Sequence, residues 1–167
     1  MVGKNALILH PERKRYVIMS YPVGHFNCKL DSKGRLMMPS EFKEQLGEQA
    51  EEGFVLRPGL FDRCLELFTR KDWDDVQDKL RTSLSQFNPE HAAVIRKYNA
   101  GARFVKLDAT GRLQIPKELI EKGALVKDVI ISSVTTKMEI WDKSLYEATV
   151  NDIDNASFLQ ILKDNIK

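Results

Sequence analysis

Asp31-Ser32-Lys33-Gly34-Arg35-Leu36-Met37-Met38-Pro39 returns as Asp108-Ala109-Thr110-Gly111-Arg112-Leu113-Gln114-Ile115-Pro116, the same frame displaced by 108 − 31 = 77 positions. The repeat extends upstream, where Cys28-Lys29-Leu30 matches Val105-Lys106-Leu107. In an extended strand alternate side chains face opposite ways, so Cys28 and Leu30, or Val105 and Leu107, share one side and the lysine takes the other. Gly34 and Gly111 suit a tight turn that needs an unusual backbone conformation. Leu36 and Met38, or Leu113 and Ile115, then alternate as a second short strand. Pro39 and Pro116 follow at a position where proline fits the first turn of a helix. In the first copy Phe42 and Leu46 have helical i, i+4 spacing, with Gly47 as a stop.

Two more strands complete each copy. The first has Phe54-Val55-Leu56 and Cys64-Leu65-Glu66-Leu67-Phe68; the second has Val129-Ile130-Ile131 and Met138-Glu139-Ile140-Trp141. The frame has by then slipped to 139 − 66 = 73, so the second copy is four residues shorter, as an insertion in a loop allows. Thr69 with Asp72 three residues on reads as a capping box with Asp in place of Glu, opening a helix whose apolar stripe is Trp73, Val76 and Leu80. Asp142 and Tyr146 begin its shorter counterpart. Asn88 and Pro89 read as the cap and first residue of a connecting helix that buries Val94, Ile95 and Tyr98. Phe158-Leu159-Gln160-Ile161-Leu162 forms a last apolar helix, which packs on its own chain or on a neighbour.

The chain has 167 residues, enough for one ordinary domain or two very small ones; a unit of roughly 75 residues is near the lower limit for folding alone. The two copies are therefore expected to share a core. Residues 1–24 read as an N-terminal extension, possessing no repeat signal, 25–82 as the first unit, 83–101 as a connecting segment with a helix, 102–149 as the second unit and 150–167 as the C-terminal helix. No run reaches the ~18 apolar residues of a membrane span, and the start lacks the features of a secretory signal, so a cytoplasmic location is expected. Cys28 and Cys64 have no C-x-x-C spacing, and His10, His25 and His91 are scattered; neither a disulfide framework nor a metal site is expected.

Net charge is +2, but Lys4, Arg13, Lys14 and Arg15 against Glu12 give +3 within residues 1–18, so the remainder comes to 2 − 3 = −1. The Arg13-Lys14-Arg15 run is either a solvated tail or a nucleic-acid arm. Binding of a polyanion by the body must rest on local patches, and two exist. Lys29, Lys33 and Arg35 against Asp31 give +2 in residues 27–35; Arg103, Lys106 and Arg112 against Asp108 give +2 in residues 103–112.

Duplicated D-x-x-G-R units in register, each with a downstream proline and an [LM]-E-[LI]-aromatic strand, resemble the bacterial MraZ family over residues from about Phe26 to Tyr146. The resemblance implies an α+β, β-rich fold: two AbrB-like swapped-hairpin units forming one small barrel with short helices and a pseudo-two-fold. Such barrels are normally made by two chains exchanging hairpins, and a duplicated sequence makes that dimerisation intramolecular. It further implies a ring-shaped homo-oligomer that binds double-stranded promoter DNA at repeats upstream of its own division and cell-wall operon, as a transcriptional regulator acting by repression and associated with the nucleoid. No cofactor, small-molecule substrate or membrane partner is implied. By the same resemblance Lys33 and Arg35 are the main DNA contacts of the first unit and Arg112 that of the second, with Lys29 and Arg103 assisting. Thr110 stands where the first copy has Lys33, which favours the first loop as the stronger reader.

Chemistry alone leaves a structural role open for the same residues. Asp31 and Arg35, like Asp108 and Arg112, are four apart across a glycine turn, so each pair can fix its loop through Asp-to-backbone bonds and an ion pair, with Gly34 and Gly111 supplying the turn. Arginine is also the side chain best suited to two-point binding of phosphate or a guanine edge. Glu66 and Glu139 have no companion base or nucleophile and read as outward-facing or ion-paired strand residues; Trp73 and Trp141 read as packing anchors. No glycine-rich phosphate loop, G-x-S-x-G or H-E-x-x-H is present, so an enzyme is not expected. The rival readings are a regulator that acts through protein docking with structural D-x-x-G-R loops, a carboxylate hydrolase using Asp31, Glu66, Asp108 and Glu139, and an AbrB-type antitoxin, which normally has a single unit.

Overall fold

The computed structural model describes residues 21–166; residues 1–18 with their basic run lie outside the described residues. Strand β1 (His25–Lys29) buries Phe26 and Cys28 and exposes Asn27 and Lys29, the alternation that period two requires. A bridge between Leu30 and Leu36 closes the first motif as a hairpin, and β2 (Arg35–Met37) leaves it with Leu36 fully buried. The chain then enters α1 (Ser40–Leu46), for which Pro39 is the cap residue; Phe42 and Leu46 are its buried face, and Gly47 ends it at a positive φ of 58°. After the short α2 (Gln49–Glu52), β3 (Phe54–Pro58) and β4 (Leu65–Thr69) pair antiparallel. Thr69 caps as read, its hydroxyl accepting from the Asp72 N–H to open α3 (Arg70–Ser83), while the Asp72 carboxylate accepts from the Thr69 hydroxyl and not from its backbone N–H as in a full capping box.

Asn88 accepts from the N–H groups of Glu90 and His91 at the start of α4 (Pro89–Asn99). The second copy repeats the order as β5 (Arg103–Val105), β6 (Arg112–Gln114), α5 (Lys117–Lys122), β7 (Asp128–Val134) and β8 (Lys137–Asp142). It ends in α6 (Lys143–Asp152), capped by Asp142, and α7 (Asn155–Asn165), capped by Asp154.

The copies interleave. One sheet runs β1-β7-β8-β4-β3-β5, and β2 pairs with β6 in a separate two-stranded ribbon. The first strand of each copy therefore adds to the third strand of the other: Phe26 lies opposite Ile131, and Arg103 opposite Leu56. Equivalent residues meet at the centre of the other two joints, Leu36 with Leu113 and Glu66 with Glu139. These registers locate the missing residues. The frame is 131 − 56 = 75 at the third strand and 139 − 66 = 73 at the fourth, so two residues are lost before β7 and two in the β7–β8 hairpin.

One apolar core spans both copies, with Leu36, Met38, Phe42, Phe54, Leu56, Leu65 and Leu67 packed beside Leu113, Ile115, Leu119, Ile131, Met138 and Ile140. Each buried aliphatic side chain of this size contributes roughly 1.5–3 kcal/mol by leaving water. Sharing a core resolves the size problem of a 75-residue unit, because neither half has to enclose its own apolar face.

One expectation changes, and two that were left open are narrowed. Of the face expected from Val94, Ile95 and Tyr98, Val94 is more than half exposed while Ile95 and Tyr98 are half-buried, because the helix docks through Tyr98. The Tyr98 ring stacks on Trp73 and lies 4.1 Å from the Arg57 guanidinium carbon. Glu66 takes the ion-paired alternative and not the outward-facing one: it is 1 % exposed, held by Arg57 Nη1 at 2.7 Å and Lys137 Nζ at 2.5 Å. That neutralises the carboxylate across the strand pair it shares with Glu139, which lies 3.9 Å from the same lysine. Of the two alternatives for the last helix, packing on its own chain leaves Phe158, Leu159, Ile161 and Leu162 all still exposed.

Candidate nucleic-acid interface

The two D-x-x-G-R loops have nearly identical geometry. In the first, the Lys33 and Arg35 backbone N–H groups donate to Asp31 Oδ1 at 2.9 Å each, and Arg35 Nε donates to Asp31 Oδ2 at 2.7 Å. In the second, the Thr110 and Arg112 N–H groups donate to Asp108 Oδ1 at 2.9 Å, the Thr110 hydroxyl adds a bond at 2.8 Å, and Arg112 Nε reaches Asp108 Oδ2 at 2.8 Å. Reciprocal backbone bonds close each turn, Asp31 N–H to Arg35 O and Gly34 N–H to Asp31 O, matched by Asp108 to Arg112 and Gly111 to Asp108. Gly34 and Gly111 hold φ values of +75° and +81°, which side-chain-bearing residues adopt rarely.

These bonds favour the ionised carboxylates. The Arg35 backbone N–H, followed by its guanidinium, lowers the Asp31 pKa; the Arg112 backbone N–H, helped by the Thr110 hydroxyl, holds Asp108 well below the usual carboxylate range. Each aspartate thus fixes an arginine by Nε alone. The four N–H bonds on each arginine's terminal nitrogens have no hydrogen-bond partner among the described residues.

The β2–β6 ribbon brings the loops together. Its register sets Arg35 opposite Gln114 and Met37 opposite Arg112, with Leu36 and Leu113 on the buried side. Arg35, Met37, Arg112 and Gln114 therefore share the outer face, the two arginines lying diagonally about 7–8 Å apart at the backbone. Gln114 also ties the ribbon to the first loop, donating to the Lys33 carbonyl at 2.8 Å. Lys33 is exposed at the loop tip, and Lys29 is exposed at the end of β1 beside Met37, opposite Asp128. Arg103 stands apart from this group: it sits on the edge strand β5 and pairs with Glu118 at 3.4 Å.

One neighbour of the loops escaped the sequence reading. Met38 donates its backbone N–H to the Gly111 carbonyl, so the chain entering α1 crosses the second loop, not its own. Ile115 does the same to Gly34, carrying α5 across the first loop. As a result, a Cβ at Gly111 would lie 2.5 Å from Lys43 Nζ, while one at Gly34 would lie 2.9 Å from Ile120 Cδ1. Positions 43 and 120 are equivalent, 120 − 43 = 77, and the Lys/Ile difference was visible in the sequence; what periodicity does not reveal is that each helix covers the opposite loop.

The carboxylates do not assemble into a catalytic cluster. Asp31 and Asp108 are each taken up by their own loop, and Glu66 is neutralised in the sheet. Cys28 and Cys64 are free buried thiols whose pKa values are pushed up to about 12 chiefly by burial, which keeps them protonated. Among the described residues no His/Cys/Asp/Glu group could hold a metal, and no helix is long and apolar enough to cross a membrane.

Comparison with known proteins gives the same grouping. The family described as "MraZ protein, putative antitoxin-like" matches residues 23–97 and again 99–167. The chain is 46 % identical over 134 residues to a protein of Flavobacterium psychrophilum, covering 80 % of this chain and 85 % of that one. It is 38 % identical over 130 residues to one of Christiangramia forsetii, with 78 % and 83 % covered, and 40 % identical over 129 residues to one of Acetivibrio thermocellus, with 77 % and 86 % covered. All three relatives carry the name transcriptional regulator MraZ, which is that of a regulator and not of an enzyme. This chain belongs to the MraZ family.

Proposed function

We propose that the protein is a sequence-specific, double-stranded DNA-binding transcriptional regulator, and that Arg35 and Arg112 on the β2–β6 ribbon are its principal readers. The observation that carries this reading is the pair of arginines anchored by Nε to Asp31 and Asp108 on the outer face of the ribbon, with terminal nitrogens that bond to no described residue. A two-stranded ribbon is one of the elements that the major groove of B-DNA admits, and an arginine presented by its outer nitrogens makes a bidentate contact with guanine. A diagonal of about 7–8 Å corresponds to roughly two steps of 3.4 Å along the duplex. Lys33 and Lys29 supply phosphate contacts, and Arg103 is an outlying contributor at most, since Glu118 already holds it.

The strand exchange between copies supports an AbrB-like swapped-hairpin barrel with a pseudo-two-fold. Its units are 25–82 and 102–149, with 83–101 as the connection and 150–167 as the terminal helix, and 1–24 is read from the sequence as an extension. Regulation is by repression at repeats upstream of the protein's own division and cell-wall operon, which associates the protein with the nucleoid. One ribbon offers few base contacts. A ring of copies engaging several repeats would raise the apparent affinity by about 10²–10⁴ if repeat and subunit spacing match.

The test is binding to a duplex from upstream of the protein's own gene and to a scrambled duplex, at two salt concentrations. Wild type should prefer the first duplex and weaken as salt rises. Arg35→Ala should lose about 1–3 kcal/mol of that preference, the discrimination of one bidentate base contact. A folded wild type with no preference, or an Arg35→Ala protein that keeps it, overturns the reading. The alternative with an observation behind it is regulation through protein docking, with the exposed Phe158, Leu159, Ile161 and Leu162 on α7 as the contact; it predicts activity that is insensitive to salt and to Arg35.

A further inference from the structure

The second loop lacks the lysine of the first, since Thr110 occupies the position of Lys33. The helix that crosses it supplies one. We infer that Lys43 is a phosphate-contacting residue of the second DNA loop, provided in place of Lys33's missing counterpart by the opposite copy, so that the two loops offer DNA the same charge. This rests on the DNA-binding reading above and removes the ground for expecting the first loop to be the stronger reader.

Four observations carry it. Lys43 Nζ lies against Gly111, at 2.5 Å from where a Cβ would stand, whereas the equivalent space beside Gly34 is filled by the apolar Ile120. Besides the equivalent lysines Lys29 and Lys106, each loop therefore has one further lysine: the first from its own tip with isoleucine alongside, the second from α1 with threonine at its tip. The position of Lys43 is fixed by the backbone, because Met38 bonds to the Gly111 carbonyl immediately before the helix that bears it. Finally, Lys43 makes no ion pair with any described residue, although Glu44, Glu51 and Asp108 line the same groove. Asp108 is already engaged by Arg112, and an ammonium that lies against Gly111 and pairs with no described carboxylate, where the next residue in the chain is an arginine whose terminal nitrogens bond to no described residue, is a site for a phosphate oxygen. The alternative of a packing role is weak, because the part of Lys43 that reaches Gly111 is its charged tip.

The experiment measures affinity for the upstream duplex across a salt series for wild type, Lys43→Gln, Arg112→Ala and the double variant Lys43→Gln/Thr110→Lys. Removing one phosphate contact reduces the slope of log affinity against log salt by about 0.9, which makes the loss between 50 and 200 mM roughly 3.5-fold smaller. Lys43→Gln should show that change for each engaged second loop and weaken binding to cognate and scrambled duplexes alike. The double variant should regain the wild-type slope, because the first loop already accommodates lysine at this position; a purely structural lysine would not be replaced from the loop tip. Wild-type slope and affinity in a folded Lys43→Gln protein, with Arg112→Ala impaired, overturns this inference and leaves the DNA reading intact. A wild type that does not bind DNA overturns both.

Discussion

The opposite coverage of the two loops makes Gly34 and Gly111 unequal, although they are equivalent in sequence and nearly equal in φ. Consider alanine at each. Holding an L-residue in the left-handed region costs about 1–2 kcal/mol, and the loss of glycine's unfolded-state freedom returns about 0.4–1 kcal/mol, so the backbone term is near 1 kcal/mol at both sites. At Gly111 little else is added, because the new methyl meets only the tip of Lys43, which can swing aside, and its Cε at 3.6 Å is in ordinary contact. At Gly34 the methyl meets Ile120 Cδ1 at 2.9 Å, the Ile115 carbonyl oxygen at 3.1 Å and Gln114 Nε2 at 3.2 Å. That carbonyl belongs to the segment whose N–H bonds to Gly34, so it cannot retreat without breaking the joint between ribbon and loop. Crowding of this kind costs about 1–3 kcal/mol more. Gly34→Ala is therefore expected to lose about 2–4 kcal/mol and Gly111→Ala about 1 kcal/mol. For a chain of this size, 1 kcal/mol moves Tm by about 2–4 °C, so urea or thermal unfolding separates the two. Equal losses within 0.5 kcal/mol, or a greater loss at Gly111, would refute the crossed arrangement of Lys43 and Ile120.

Other consequences can be measured on the same protein. Glu66→Ala leaves Arg57 buried without its carboxylate and should cost about 3–5 kcal/mol in urea unfolding, whereas the double variant Glu66→Met/Arg57→Met should cost less than the single change; the reverse order would show that the pair adds net stability. Val94→Asp should lie within about 0.5 kcal/mol of wild type, while Ile95→Asp, on the inward side of α4, should lose about 1–3 kcal/mol, and similar values would put the helix in a different rotation. Because Asp31 and Asp108 have folded pKa values below the unfolded value of about 3.9, their stabilisation is present at neutral pH and lost as pH falls through the lowered values. Carboxyl titration by NMR should place both midpoints below that of an ordinary aspartate. A midpoint at or above it for Asp108 would mean that the Arg112 and Thr110 bonds do not form in solution.

Local elements were legible because they depend on neighbours in the chain. The alternation of Phe26, Cys28 and Leu30, the turn glycines Gly34 and Gly111, the Thr69 cap and the Asn88-Pro89 start all act within a few residues, and each formed where the sequence put it. Pairing partners were not legible, since Phe26 reads the same whether it lies opposite Phe54 or Ile131. From that gap come the later surprises. Glu66 could be recognised as a charge in an apolar strand, but its burial depends on Arg57 across one ladder and Lys137 across another. Val94 and Ile95 are adjacent apolar residues, and the choice between them was made by Tyr98 docking on Trp73 and Arg57. At the candidate interface the sequence supplied the Asp-Arg pairs and their charge, while the proximity of Arg35 to Arg112 came from the ribbon register alone.

The exchange of first strands also sets a timetable. Asn27 pairs with Ile130, which follows it by 130 − 27 = 103 residues. At about 5–20 residues per second, a ribosome needs roughly 5–20 s to deliver that partner after β1 has been made. During this interval β1 has no sheet to join, β2 waits for β6 and β3 for β5, and the apolar residues of the first copy have only part of their core. The nascent chain thus passes through a stage in which its edges are open to other strands, including those of identical chains on the same message. Slower synthesis of residues 30–130 should lengthen that vulnerable stage without altering the stability of the finished protein.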